Sequence, residues 1–148
     1  MKLTELLGPI KVKEIIGPKE IEITMLTADS RKAGAGSMFV AVRGVTVDGH
    51  SFIPTLAGKG VAAMVVETLP AVMEPDTAYI VVENSAVALG ELASRWYGEP
   101  SRKLHLVGVT GTNGKTTTAT LIYEMARLMG YKAGLLSTVV NYVDTRAV

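Results

Sequence analysis

The sequence predicts an α/β fold, in which short apolar strands alternate with helices. Residues 62–66 and 78–82 are compact apolar runs, which are typical of strands buried on both faces of a sheet. Apolar residues recur at helical spacing over residues 87–96 and 118–129. A turn-rich segment at residues 98–102 separates two regions. We therefore expect a small N-terminal α/β domain at 1–100 and the first βαβ unit of a second domain at 101–148.

Within the first hundred residues, local patterns predict each element in turn. Recurrence every three or four residues indicates helices, and alternation of apolar with polar residues indicates strands. The opening helix should end at the Gly-Pro pair of residues 8–9. In chain order, we expect a helix at 3–7, strands at 21–25 and 38–42, a short helix at 52–57, strands at 62–66 and 78–82, and a helix at 87–96.

The second region has the order strand, Gly-rich loop, helix and strand. The apolar run 104–110 leads into the loop, the helix should cover 118–129, and a further strand is expected at 133–140. A single βαβ unit cannot close a core by itself. We therefore expect this region to be the truncated start of a larger domain, and the chain to be the front part of a longer protein.

The loop between the predicted strand and helix has the residues of a phosphate-binding loop: Gly111, Thr112, Asn113, Gly114, Lys115, Thr116 and Thr117. Glycines let backbone N–H groups surround phosphate oxygens at a helix N-terminus. Lys115 would reach the transferring phosphates as the catalytic lysine, and the Thr116 hydroxyl would bind Mg²⁺. The general pattern has glycine where Val109 stands. The alternative interpretation is a strand-to-helix turn with an incidental lysine.

Composition narrows the class of protein. The 148 residues are 48% hydrophobic and 20% charged, with a net charge of +1 and no cysteine. This balance excludes a disordered chain, and it provides neither a basic surface for nucleic acid nor a disulfide framework. No apolar run is long enough to span a membrane. We expect a cytoplasmic protein, monomeric, that acts on small molecules and binds neither nucleic acid nor membranes.

Two short motifs in the N-terminal region allow more than one interpretation. Asp29, Ser30 and Arg31 form either a local Asx-type turn with a solvated arginine or a binding site for an anionic ligand. His50, which follows Asp48 and Gly49, is either a capping or surface residue or an acid–base catalyst.

Several of these segments resemble the Mur ligases of peptidoglycan synthesis. Residues 108–117 resemble their ATP loop, which the related folylpolyglutamate synthetases share. Residues 29–31, 36–44 and 48–53 resemble the uridine-binding domain of the muramoyl ligases. The Asp-Ser-Arg triplet and residues 96–101, WYGEPS, are similar to the branch that adds a diamino acid.

The resemblance implies an ATP- and Mg²⁺-dependent amide ligase. It would add a diamino acid, meso-diaminopimelate or else L-lysine, to UDP-N-acetylmuramoyl-L-alanyl-D-glutamate through an acyl phosphate. The implied contacts to the UDP-N-acetylmuramoyl substrate are Ala28, Ser30, Val45, Thr46 and Val47. The alternatives are a Mur ligase that adds D-Ala-D-Ala, a folylpolyglutamate synthetase, and a phosphate-loop nucleotide-binding module that is not a ligase.

Overall fold

The computed structural model describes residues 1–8, 10–44 and 47–148. Its contacts form two compact units, Met1–Leu104 and His105–Val148. The elements in chain order are α1 (Leu3–Leu7), β1 (Val12–Ile16), β2 (Met25–Thr27), β3 (Ser37–Val40), a 3-10 helix (Gly49–Leu56), β4 (Ala63–Val66), β5 (Ala78–Val82), α2 (Ser85–Trp96), a 3-10 turn (Pro100–Arg102), α3 (Lys115–Leu128), β6 (Gly134–Leu135), β7 (Tyr142–Val143) and β8 (Arg146–Ala147).

The first unit contains a five-stranded sheet in the order β1-β5-β4-β3-β2. Strands β2 to β5 run parallel, with Met38 opposite Ala63 and Ala63 opposite Ala78. Strand β1 joins the edge antiparallel to β5. Because β2 to β5 are parallel, the segments that follow them all leave the sheet at the same edge.

Both faces of this sheet are covered, as the apolar runs predict. Met38 and Val40 of β3 pack on one face with the leucines of α1 and with Leu92 of α2. The intervening Phe39 lies on the other face, against the 3-10 helix Gly49–Leu56. All four residues of β3 and all four of β4 are buried. This confirms the α/β class, with the sheet as the middle of three layers.

The N-terminal part of the sheet differs from the sequence prediction in two places. Strand β1 was not predicted, because its apolar residues do not alternate and its pairing is irregular between Val12 and Glu14. The strand expected at 21–25 begins instead at Met25. Ile23 is fully buried but does not lie in a strand of the sheet. Its N–H donates to the Met1 carbonyl. The alternation of apolar and polar residues at 21–25 is therefore explained by burial of Ile23 with the leucines of α1, and not by pairing with a strand of the sheet.

The second unit contains the predicted helix but not the predicted parallel strands. Helix α3 is followed by β6, β7 and β8, which form an antiparallel sheet of two-residue strands. Residues 105–110, all described, form no strand, and Leu106 and Val107 remain largely exposed. The strand expected at 133–140 is reduced to Gly134–Leu135. The predicted βαβ pairing is thus absent within residues 105–148, because an apolar run becomes a strand only when a neighbour satisfies its backbone.

In the described ranges, no helix combines the length and the apolar character that a membrane span requires.

Candidate functional site

Several polar residues of the first unit lie in the segments that follow β2 to β5, at one edge of the five-stranded sheet. The turn at residues 28–31 follows β2, residues 41–50 follow β3, Glu67 follows β4 and Ser85 follows β5. In open α/β sheets, ligands bind outside the carboxyl ends of the parallel strands. This edge is therefore the candidate ligand site of the unit.

The turn after β2 is organised by the Asp29 carboxylate. Its Oδ1 accepts hydrogen bonds from the Arg31 backbone N–H at 3.0 Å and from Arg31 Nε at 2.9 Å, and its Oδ2 accepts from Nη2 at 2.7 Å. The Asp29 N–H donates to Thr27 Oγ1 at 3.0 Å. The Asx-type turn is thus formed, and Arg31 is paired within it rather than directed at another group.

This pairing makes Asp29 unusually acidic. The Arg31 guanidinium, and then the Arg31 backbone N–H, lower the pKa of Asp29 from 3.8 to about 2. Because the folded pKa lies below the unfolded one, the pairing stabilises the fold above about pH 3.8. That contribution is lost as the pH falls towards 2.

We expect a carboxyl ¹³C NMR titration of this chain to place the Asp29 pKa near 2. Arg31→Ala should return the value only partway to 3.8, because the backbone N–H of residue 31 remains as a donor. Arg102→Ala, which removes an arginine paired elsewhere with Glu99, is the matched control and should leave it unchanged. An Asp29 that titrates at its ordinary value in the unaltered chain would contradict this geometry.

A cavity of about 560 Å³ opens beside the same turn and is lined by Ala28, Asp29, Ser30, Arg31 and Phe52. Two predicted substrate contacts, Ala28 and Ser30, therefore share one concave surface. Ser30 is one of the residues that line this cavity, and no hydrogen bond of its hydroxyl to another described residue is found.

The remaining predicted substrate contacts lie on the loop after β3. Val47 is 54% exposed, and its carbonyl accepts a hydrogen bond from the Gly44 N–H at 3.1 Å. Val45 and Thr46 lie outside the described residues.

A hydrogen-bonded network that sequence reasoning missed connects this loop to two other elements. Asp48 Oδ1 accepts from the His50 backbone N–H at 2.9 Å and lies 2.7 Å from His50 Nδ1. His50 Nε2 accepts from the Glu67 backbone N–H at 2.9 Å. Glu67 Oε1 accepts from both the N–H (2.9 Å) and the hydroxyl (2.7 Å) of Ser85.

The hydrogen bonds assign the roles of the two ring nitrogens. Because His50 Nε2 accepts from the Glu67 N–H, Nδ1 is the nitrogen that donates to Asp48. The backbone N–H and ring of His50 lower the pKa of Asp48, and the N–H and hydroxyl of Ser85 lower that of Glu67. Both ring nitrogens are occupied, which favours a structural role for His50 over acid–base catalysis, and the residue that caps the 3-10 helix is Asp48 rather than His50.

The phosphate loop of the second unit lies at the start of α3. Gly114 caps the helix with a φ of 75°, a left-handed conformation that suits glycine. Lys115 Nζ donates to the carbonyls of Gly111 at 2.6 Å and Thr112 at 3.2 Å, so the ammonium lies over the loop. The first N–H groups of α3 have no acceptor within the helix. The loop is exposed, and its backbone donors and cation suit the oxygens of a phosphate.

No group of three or more His, Asp or Glu side chains in the described parts of the chain could hold a metal ion. The metal ligand predicted from the sequence is the Thr116 hydroxyl. It would need acidic or phosphate oxygens from elsewhere to complete a Mg²⁺ site.

Comparison with known protein families gives two matches along the chain. The Mur ligase family catalytic domain matches residues 22–97, and the Mur ligase middle domain matches residues 109–147. The first match covers the sheet edge described above, and the second begins just before the phosphate loop.

Curated relatives are similar over nearly the whole chain. UDP-N-acetylmuramoyl-L-alanyl-D-glutamate–2,6-diaminopimelate ligases from Parabacteroides distasonis and Bacteroides fragilis are 55% and 49% identical over 148 residues, which cover all of this chain and 30% of each relative. The ligase of the same name from Bacillus cereus is 42% identical over 94% of the chain and 28% of its own length. The chain thus spans about 30% of the length of these relatives.

Solved structures of similar fold include another protein with that ligase name. It has a TM-score of 0.72 and 24% identity, over 99% of this chain and 29% of that one, a likeness of fold alone. MurF from Acinetobacter baumannii has a TM-score of 0.61 and 26% identity, over 86% of this chain and 28% of its own. MurF from Thermotoga maritima in complex with ADP has a TM-score of 0.50 and 30% identity, over 70% and 23%. Taken with the two domain matches, these findings show that the chain belongs to the Mur ligase family.

Proposed function

We propose that this chain forms the uridine-binding part and the ATP loop of a UDP-N-acetylmuramoyl-tripeptide synthetase. The reaction would join diaminopimelate to UDP-N-acetylmuramoyl-L-alanyl-D-glutamate at the expense of ATP. The observation that carries this proposal is the 55% identity over all 148 residues to a ligase with that substrate in its name. The same relatives favour diaminopimelate over L-lysine as the added amino acid.

The cavity after β2 is the proposed site for the uridine diphosphate portion of the substrate. Ser30 would donate a hydrogen bond to the uridine diphosphate portion, the Ala28 backbone would contact it, and Val45, Thr46 and Val47 would be further contacts to the substrate. This assignment is supported by the cavity that Ala28 and Ser30 share.

The loop of residues 111–117 is the proposed site of ATP: Gly111, Thr112, Asn113, Gly114, Lys115, Thr116 and Thr117. The ADP bound to the Thermotoga maritima relative supports a nucleotide in this family. The Lys115 ammonium would neutralise charge on the phosphoryl group that passes to the D-glutamate carboxylate, and Thr116 would hold Mg²⁺. Mg²⁺ held there would supply positive charge against the phosphates. The diamino acid amine then displaces phosphate from the acyl phosphate and loses a proton, which leaves an amide.

A chimeric ligase tests this function directly. Residues 1–148 would be joined to the remaining part of the Parabacteroides distasonis ligase, which itself serves as the positive control. We expect the chimera to form amide product, with one ADP and one phosphate released for each amide, and only when UDP-N-acetylmuramoyl-L-alanyl-D-glutamate is present. The rest of the chimera comes from the Parabacteroides distasonis ligase. The dependence of activity on the UDP-linked substrate is therefore the measurement that tests residues 1–148.

Other outcomes of this experiment would support the alternatives. A folded chimera that hydrolyses ATP without regard to the uridine substrate would indicate a phosphate-loop hydrolase. Preference for the longer UDP-N-acetylmuramoyl-tripeptide would indicate the ligase that adds D-Ala-D-Ala, and use of a folate would indicate a folylpolyglutamate synthetase.

We further propose that the enzyme is a monomer with small-molecule substrates only. We propose that it is cytoplasmic, since ATP and nucleotide-linked precursors are metabolites of that compartment.

Ser30→Ala in the chimeric ligase should raise KM for the uridine substrate and change KM for ATP little. A lost hydrogen bond to a charged group costs about 1.5–3 kcal/mol, equivalent to a rise of roughly 10- to 150-fold. Steady-state kinetics with each substrate varied in turn would measure both constants.

Ser101→Ala is the matched control for this variant, because Ser101 is an exposed serine in the 3-10 turn at which no ligand contact is proposed. It should leave both KM values unchanged. If Ser30→Ala weakens ATP binding and leaves uridine-substrate binding intact, the assignment of the cavity is wrong.

A further inference from the structure

Backbone hydrogen bonds join Gly44 and Val47, the described residues at the two ends of the loop after β3. The Gly44 N–H donates to the Val47 carbonyl at 3.1 Å, and the Gly49 N–H donates to the Val42 carbonyl at 2.8 Å. Arg43 and Asp48 form an antiparallel bridge between these pairs. A Cβ at Gly49 would lie 2.7 Å from the Val42 backbone nitrogen and oxygen, so the close approach requires glycine. The two ends of the loop are therefore held side by side.

Side chains fasten the C-terminal end of this loop to the sheet. His50, whose side chain is 15% exposed, links Asp48 at the loop end to the Glu67 N–H at the end of β4. Its two ring nitrogens act in opposite directions, as donor to Asp48 and acceptor from Glu67. The rigid imidazole ring of His50 thus contacts both the Asp48 carboxylate and the Glu67 N–H.

The N-terminal end of the loop is fastened to helix α2. The Arg43 N–H donates to Ser85 Oγ at 3.3 Å, and Ser85 is fully buried at the first residue of α2. Ser85 in turn donates to Glu67 Oε1. The Arg43 guanidinium also lies between two carboxylates, 3.4 Å from Asp48 Oδ2 and 3.6 Å from Glu67 Oε2. Glu67 is therefore common to both fastenings.

We infer that Arg43, Asp48, His50, Glu67 and Ser85, here called the His50 network, position Val47 for the uridine substrate. This inference rests on the proposed function, in which Val47 contacts that substrate. A contact residue whose backbone is held in place before binding loses less conformational freedom when the ligand arrives. His50 and Glu67 are thus positioning residues, which set affinity for the nucleotide without touching it.

The test uses the 148-residue chain and UDP as the probe, with affinity measured by NMR titration well below the unfolding midpoint. His50→Asn keeps a donor near Asp48 but cannot reach Glu67, whereas His50→Gln can accept from the Glu67 N–H but loses Asp48. Each should weaken UDP binding about two- to tenfold, and His50→Ala should weaken it more than either. Glu67→Gln, which keeps an acceptor for Ser85, should weaken binding less than Glu67→Ala.

Thr55→Ala is the matched control. It removes one hydrogen bond, from Thr55 Oγ1 to the Phe52 carbonyl at 2.7 Å, within the same 3-10 helix but outside the His50 network. It should lower the melting temperature slightly and leave UDP affinity unchanged.

The outcomes separate this inference from the function on which it rests. If His50→Ala lowers only the melting temperature while the folded protein binds UDP as before, the network is merely structural and the inference is wrong. Weaker binding by Ser30→Ala in the same experiment would then leave the proposed uridine site standing. If the unaltered chain does not bind UDP, the proposed site fails and the inference fails with it.

Discussion

Lys115→Ala should abolish amide formation by the chimeric ligase while leaving its fold and its uridine binding intact. The Lys115 ammonium is held over the phosphate loop by the carbonyls of Gly111 and Thr112. There it can meet the charge that develops on a transferring phosphoryl group. Removal of one such electrostatic partner costs a factor of about 10²–10³ in rate. Lys115 is exposed, so circular dichroism should not change.

Lys115→Arg should fail as well, because a planar guanidinium does not replace a compact ammonium within a tight loop. Lys132→Ala, which removes another exposed lysine of the same unit, is the matched control and should keep full activity. The measurements are amide product, ADP release and trapping of the acyl phosphate with hydroxylamine. Acyl-phosphate formation by either Lys115 variant at a rate close to that of the unaltered ligase would contradict the proposed role.

The sequence predicted the central sheet well because burial on both faces leaves a local signature. Strands β4 and β5 lie where the apolar runs 62–66 and 78–82 occur, and α2 covers the segment with helical periodicity. The short helix expected at 52–57 is present as a 3-10 helix that begins earlier, at Gly49. There the Asp48 side chain caps the His50 N–H, and Pro54 has no N–H to donate.

The features that the sequence did not predict depend on partners distant along the chain. His50 accepts from a residue 17 positions away, and Glu67 pairs with a serine 18 positions away. Each of these residues is unremarkable by itself, and only the parallel sheet brings them to one edge. The apolar run at residues 104–110 illustrates the opposite case, since its local pattern favours a strand but residues 105–148 provide no strand to pair with it.

The candidate site was predictable where chemistry is local. The phosphate loop is a contiguous segment, so its glycines and lysine can be recognised directly, and the structure places them at the start of α3 as expected. The cavity after β2 combines Ser30 with Phe52, which come from different elements. No spacing rule predicts that juxtaposition. The roles of both groups of residues remain predictions that the variants above address.

Residues 1–148 by themselves should form no amide product from ATP, Mg²⁺, diaminopimelate and UDP-N-acetylmuramoyl-L-alanyl-D-glutamate. The first unit has its own two-sided core and should bind the uridine portion weakly. The second unit has few buried residues, and α3 leaves Leu121, Met125 and Leu128 exposed. Its phosphate loop is not braced by a parallel sheet, so ATP should bind poorly.

Hydrogen exchange and an activity assay would check this expectation together. Backbone amides of residues 105–148 should exchange faster than those of β3 and β4, because few of their hydrogen bonds are buried. Product formation should be undetectable by chromatography, whereas the Parabacteroides distasonis ligase, assayed in parallel, should convert the same substrates. Adding the remaining part of that ligase as a covalent fusion should restore activity, since a contiguous sheet would then order the loop. Measurable tripeptide synthesis by residues 1–148 alone would show that the chain already contains a complete catalytic site and would overturn the division of roles proposed for its two units.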